Sequence, residues 1–133
     1  MDKKDKIEFD KWNYKKQRIH KEKQRPFFHE KEIWFCSLGA NIGFEQDGGG
    51  DEFLRPILVL KKFNNVIFWA LPMTRNAKEG KYYHIIFISG RDPSALILSQ
   101  IRLVDAKRLG YKIGSINQQE FILIKEKIKQ LLA

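Results

Sequence analysis

The sequence predicts a mainly β, α+β fold: a small, strongly bent barrel or sheet with a helix near each end of the chain. Three observations predict it. Five or six short apolar runs, rich in β-branched and aromatic residues, follow one another through tight connections between residues 32 and 105. Residues 117 to 133 carry an apolar stripe at helical spacing behind a capping signal. Residues 6 to 25 are charged, show no period-two alternation, and meet Pro26, which a helix cannot continue through.

Taken in order, Asp10 to about Gln24 reads as a helix with Asp10 as its cap. Its apolar stripe is thin, Trp12 and Ile19, so it either docks loosely or lies on a partner. Residues 1–30 are taken as a basic N-terminal extension and residues 31–133 as the barrel domain. "EIWFCSL" (32–38) is a strand that stops at Gly39. "RPILVLKKF" (55–63) is a strand whose Pro56 fits only among its first residues. Asn64 and Asn65, which tolerate positive φ, turn it into a second apolar strand through Met73. "YYHIIFIS" (82–89) and, after the turn "GRDPS", "ALILSQIRLVD" (95–105) complete the set. On the last of these Gln100 and Arg102 share a face, because strand side chains alternate.

The C-terminal helix has the fullest signature. Asn117 and Glu120 have capping-box spacing, flanked by Ile116 and Phe121 as a hydrophobic staple. Phe121, Ile124, Ile128, Leu131 and Leu132 then recur at three- and four-residue steps, a face that packs on the barrel.

A chain of 133 residues supports one domain with one core. Its 43% hydrophobic and 31% charged residues describe an ordinary soluble globular protein. The longest apolar run, "VIFWALPM" (66–73), is far too short for a bilayer, and the charged N-terminus is no signal peptide. No membrane role is expected, and a reducing cytoplasm is the expected compartment. One cysteine, Cys36, excludes an internal disulfide, and His20, His29 and His84 are scattered, so neither metal nor cofactor is expected. The net charge of +9, of which residues 1–25 hold +5, favours a polyanionic partner, either nucleic acid or an acidic protein.

The stretch "GFEQDGGGDEFLRP" (43–56) carries the functional question. A phosphate-cradling loop needs a lysine and a hydroxyl after its last glycine, and "GGGDEF" supplies acids instead. A flap beside a site and a plain surface turn both fit its composition. Arg55 stands where this loop joins a buried strand, so its guanidinium lies at the rim of the barrel. A fixed fork of donors suits a phosphodiester, and a surface ion pair with Glu52 or Glu45 is the bland alternative. Thr74, ending the following strand just before Arg75, either donates to a phosphate oxygen or caps a turn. Gln100, if buried, needs a partner for its amide or turns to a ligand. Trp34, Phe44, Trp69 and Tyr82 are candidates to stack unpaired bases wherever they are exposed.

These pieces, "EIWFCSLGANIGFEQDGG", "FLRPILVLKKFN", "IFWALPMT" and "ALILSQIRLVDAKRL", follow one another as they do in the PemK/MazF family of toxins, which the chain resembles from about Glu32 to Leu132. The ordered set G-x-E-Q, R-P-[IV]-L-V and S-Q-I-R-x-[VI]-D is specific where each piece alone is weak. The resemblance implies an SH3-like barrel (PemK/MazF-like, CcdB-like) with a C-terminal helix, paired as a homodimer. It implies a toxin of a type II toxin–antitoxin system, a sequence-selective endoribonuclease that cuts single-stranded RNA without a metal, leaving a 2′,3′-cyclic phosphate and a 5′-hydroxyl. An acidic antitoxin is the implied protein partner, with which such toxins bind DNA. Carried onto this chain, Arg55 and Thr74 are the implied catalytic pair. Glu45, the candidate base, and Gln46 sit in the loop that covers the RNA groove. Arg75, Gln100 and Arg102 are the remaining RNA-binding candidates. "DGGGDEFL" makes the loop longer than the family pattern, and the N-terminal segment lies outside it. A barrel of this fold that only binds RNA or protein, and a gyrase poison, are the alternative readings.

Overall fold

Strand β2 (Leu54–Lys62) is the spine of the molecule, because Ile57 to Leu60 are apolar without alternation and all buried. Such a run needs cover on both faces and a partner on both edges. It has them in the computed structural model, which describes residues 1–133. β1 (Glu32–Ser37) pairs with one edge of β2 and β3 (Ile67–Thr74) with the other, both antiparallel. β4 (Tyr83–Ile86), β5 (Ser94–Ile97), β6 (Arg102–Asp105) and β7 (Leu109–Ser115) extend this into a seven-stranded, strongly curved, barrel-like sheet of order β4-β5-β3-β2-β1-β7, with β6 also on β3.

Alternation splits the interior into two cores. Ile57, Val59, Phe68, Ala70, Trp34 and Cys36 pack with Phe28 and Val104 on one face. Leu58, Leu60, Leu71, Met73 and Ile33 pack on the other, beneath α2 (Gln118–Leu132) through Ile116, Phe121 and Ile124. Asn117 caps α2, its Oδ1 accepting from Glu120 N at 2.8 Å. The Glu120 carboxylate does not close the capping box; it reaches His84 on β4 at 3.2 Å. Leu132, expected on the packed face, is exposed at the end of the helix.

The sheet partner of β3 changes part-way along it, and this change shapes the site. Ile67 to Ala70 pair with β6, whereas Met73 and Thr74 pair with β5. Between them lies Pro72, which has no N–H to offer a neighbouring strand. The single strand expected over 95–105 is therefore two, broken at residues 98–101, and Gln100 lies on the connection rather than beside Arg102 on one strand face. The strand expected over 82–89 is likewise shorter, and β7 is an addition to the expected set. Asn64 and Asn65 do form the β2–β3 turn, but without positive φ; Asn64 Oδ1 accepts from Val66 N and Ile67 N at 2.8 and 2.9 Å.

Helix α1 (Lys3–Lys21) begins earlier than expected and ends earlier. Asp2 is its cap, accepting from Asp5 N at 2.8 Å, while Asp10 is an interior residue paired with Lys6. It docks on the barrel through Trp12, its one buried residue. The indole packs on Phe53, with centroids 5.3 Å apart, and flat against Gly39, where an added Cβ would sit 2.1 Å from the ring. Beyond the helix, Arg25 makes a bidentate ion pair with Asp105, both hydrogen bonds 2.9 Å. No helix is long and apolar enough to cross a membrane.

Candidate active site

The loop between β1 and β2 is folded back on itself rather than open. Gly49 and Leu54 form an isolated antiparallel bridge, with N–H to O distances of 2.7 and 2.9 Å in the two directions. Gly48 permits it: a Cβ there would lie 1.5 Å from the carbonyl oxygen of Phe53. The glycine run thus closes a tight turn at the outer end of the loop, and no phosphate cradle forms from it. The inner end, residues 41 to 47, is fixed by Asn41. Its Nδ2 donates to Leu38 O and Gln46 O at 3.1 and 2.8 Å, and its N–H donates to Asp47 Oδ1 at 2.6 Å.

Two further side chains hold this segment against the sheet. Gln100, on the connection after β5, accepts from Gln46 N–H at 2.9 Å and donates to Phe44 O at 3.2 Å. Its amide is therefore satisfied by the loop. Arg55, early on β2, donates from Nε to Asp47 O and from Nη1 to Met73 O, the latter at 2.9 Å. The bland alternative for Arg55 fails here: neither Glu45 nor Glu52 pairs with it, and Glu52 lies 3.7 Å from Lys15 of α1. The β2–β3 ladder ends at Ile57–Pro72, and beyond it the Arg55 guanidinium reaches the carbonyl oxygen of Met73, the residue before Thr74.

Arg55 is half-buried, and burial is the main reason its guanidinium holds its proton less tightly than usual. The charge of Asp47 opposes this shift, and that of nearby Arg75 adds to it. Thr74 Oγ1 accepts only a long contact, 3.4 Å, from Asn76 N, so its own proton is free for another acceptor. Arg55, Thr74 and Arg75 form one group. Glu45, Gln46, Gln100 and Arg102 form a second, lining a cleft of about 520 Å³ with Asn41, Phe44 and Pro72. The segment 46–47 joins the two groups, since Gln46 lines the cleft and Asp47 O receives Arg55.

Glu45 Oε1 accepts from Ile42 N at 3.1 Å and is otherwise exposed on the loop. Phe44 is 97% exposed beside it, a free aromatic surface. Trp69 and Tyr82 are partly exposed, but Trp34 is buried and donates to Glu32, so it cannot stack on a base. Two residues that matter here escape a reading of the sequence, Asn41 and Arg108. Asn41 carries one signal, its place between glycines in "GANIG", the composition of a side-chain-closed turn. Arg108 carries none; its half-buried guanidinium is set by Ser37 O at 3.2 Å and by the Trp12 ring, 5.6 Å from its centroid.

A sequence model of the PemK-like, MazF-like toxins of type II toxin–antitoxin systems matches residues 29–132. Among solved structures, MazF from Deinococcus radiodurans is similar at TM-score 0.65 and 20% identity, covering 82% of this chain and 97% of that one. An endoribonuclease from a mycobacterial species, in complex with its cognate antitoxin, matches at TM-score 0.62 and 13% identity, covering 80% and 95%. The Deinococcus radiodurans MazE–MazF complex matches at 0.59 and 17%, covering 83% and 97%. At these identities the structures speak for the fold. No curated protein sequence matches the chain.

Proposed function

The chain belongs to the PemK-like, MazF-like family of type II toxins, and from that premise we propose that it is a metal-independent endoribonuclease acting on single-stranded RNA. The observation that carries this reading is Arg55, a half-buried cation with no ion-pair partner, which joins the loop that lines the cleft to the carbonyl oxygen of Met73, the residue before Thr74. Strand cleavage by this route needs the ribose 2′-oxygen to attack its own phosphorus while the P–O5′ bond breaks. The departing O5′ takes a proton from solvent water, so the products are a 2′,3′-cyclic phosphate and a 5′-hydroxyl. Charge grows on the non-bridging oxygens as the new bond forms. Arg55 stabilises that charge and Thr74 donates a hydrogen bond from its free hydroxyl to one of the oxygens; removing one such donor typically costs about 3 kcal/mol of barrier.

Glu45, on the exposed loop, accepts the 2′-hydroxyl proton once the loop rearranges over RNA. Burial and Arg75 ease the proton of Arg55 only from a very high starting value, so Arg55 serves as the charge stabiliser rather than the base. In the free protein Nε and Nη1 of Arg55 are occupied by Asp47 O and Met73 O. Binding of the scissile phosphate therefore exchanges the loop carbonyl for phosphate oxygens, which couples substrate entry to loop movement. Gln46, Gln100 and Arg102, which line the cleft, and Arg75, whose charge acts on Arg55, contact the strand on either side. A homodimer, an acidic antitoxin as partner and a cytoplasmic location complete the reading, and the antitoxin complexes among the similar structures support the partner.

The test is to incubate the purified protein with a diverse single-stranded RNA pool in excess chelator and identify the new ends. Cyclic phosphate and 5′-hydroxyl termini are expected. Binding without cleavage would favour a barrel that only recognises RNA.

A further inference from the structure

Helix α1 lies outside residues 29–132, the part common to the family, yet it is not a loose tail. It forms one wall of a second groove, about 530 Å³, whose other wall is the 3-10 turn Ala106–Arg108. The groove is cationic. Lys16, Lys21, Arg25, Lys107 and Arg108 line it against a single carboxylate, Asp105, which Arg25 already occupies through both oxygens. Residues 11–21 of the helix hold five lysines and arginines and no acid, whereas all the acids of α1 lie before Trp12. Lys107 Nζ, 3.0 Å from His20 O, ties the end of the helix to the turn, so the groove has fixed walls.

Each groove presents one arginine towards the other, Arg102 from strand β6 and Arg108 from the turn that follows it. Arg102 lines the active-site cleft and Arg108 lines the second groove. They stand close enough that Arg102 is, after burial, the next cause weakening the hold of Arg108 on its proton. Neither makes an ion pair. The one carboxylate that acts on Arg108 is Asp105, and Arg25 already holds it, so an added anion relieves the two neighbouring cations.

The geometry points to a second RNA-binding track. The strand that enters the cleft continues past Arg102 and Arg108 into the groove under α1, where Lys16, Lys21 and Lys107 take its phosphates. An acidic protein segment fits less well. A docked peptide helix needs apolar seats, and the lining offers only Trp12 and Ile19, of which Trp12 is already buried against Gly39 and Phe53. A chain of phosphates needs only the cations. This inference rests on the RNA reading above and adds to it that the chain grips RNA outside the family domain.

The test uses the full chain with fluorescent single-stranded RNAs carrying 2′-O-methyl riboses, which can bind but lack the attacking hydroxyl. One is about six nucleotides long and fills only the cleft; the other is about twenty-four. Lys16 and Lys21 are exposed and make no hydrogen bond to the protein, so Lys16→Glu/Lys21→Glu keeps the fold, and Lys16→Ser/Lys21→Ser gives a second, milder variant. The long RNA is expected to bind about tenfold more weakly to the reversed variant. Its log–log salt slope should fall by roughly 1.4, about 0.7 for each phosphate that no longer meets a lysine. Affinity for the short RNA should not change. Equal falls in affinity for both lengths, or none for either, would overturn the track, and so would weaker binding of polyglutamate with RNA binding intact. Because these RNAs cannot be cut, a failure of the nuclease reading shows only in the cleavage assay and leaves this outcome legible.

Discussion

The two helices that bracket the sheet are held by opposite physics. α2 sinks Phe121 and Ile124 into one of the two cores and is closed at its start by Asn117 and the Ile116 staple. α1 carries charge on nearly every face and meets the barrel at points: Trp12 on Gly39 and Phe53, Lys15 on Glu52, and Arg25, just beyond, on Asp105. α2 is part of what makes the sheet fold. α1 is an attachment held by a few contacts, and its anchor residues, Gly39 and Phe53, are also the two ends of the loop that lines the cleft. Holding α1 in place therefore holds the base of that loop, a link that α2 does not have.

The sharpest way to separate them is to remove one large side chain from each. Phe121→Ala should lower global stability by about 3–5 kcal/mol, as truncating a core aromatic does, read as a fall in the denaturant midpoint with little change in slope. Trp12→Ala should leave the global midpoint much less affected. It should raise amide exchange across residues 3–21 and in the 40–52 loop, because only a local unit comes free. If Trp12→Ala lowers the midpoint as far as Phe121→Ala does, α1 belongs to the folding core and the contrast collapses.

The smallest effect is set by pH. The hydrogen bonds from Arg25 hold the Asp105 carboxyl below its ordinary range, against a burial cost, with the backbone N–H of Lys107 assisting. A carboxyl with a depressed folded value contributes stability that is complete above its unfolded value of about 4 and is lost as pH falls through the lower folded one. Both partners are partly exposed, so the contribution is modest. Trp12 fluorescence should report α1 loosening below about pH 4 ahead of global unfolding. Asp105→Asn should abolish that early step.

The same contrast explains what the sequence discloses. α2 is readable because its cap, staple and stripe are local and periodic. The start of α1 is not, since the segment has no hydrophobic period; Asp2 decides its first turn and a tertiary contact of Trp12 decides where it lies. β7 escapes notice because "LGYKIGS" has two glycines and little alternation and is a strand only by pairing with β1. The break before Gln100 is hidden by continuous apolar residues on both sides, and only the change of partner along β3 reveals it. At the candidate site, the places of Arg55 early on one strand and Thr74 at the end of the next are legible. Asn41 and Arg108 are not, because each works through backbone carbonyls supplied by the fold.

Beneath all of this lies the claim that the Arg55 guanidinium faces the scissile phosphate. Single-turnover cleavage of one mapped RNA site by Arg55→Ala, with melting and RNA affinity recorded alongside, tests it most directly. A rate lower by about a hundredfold or more, about 3 kcal/mol, is expected, with the fold intact. A folded Arg55→Ala protein that cuts at the parental rate would contradict it.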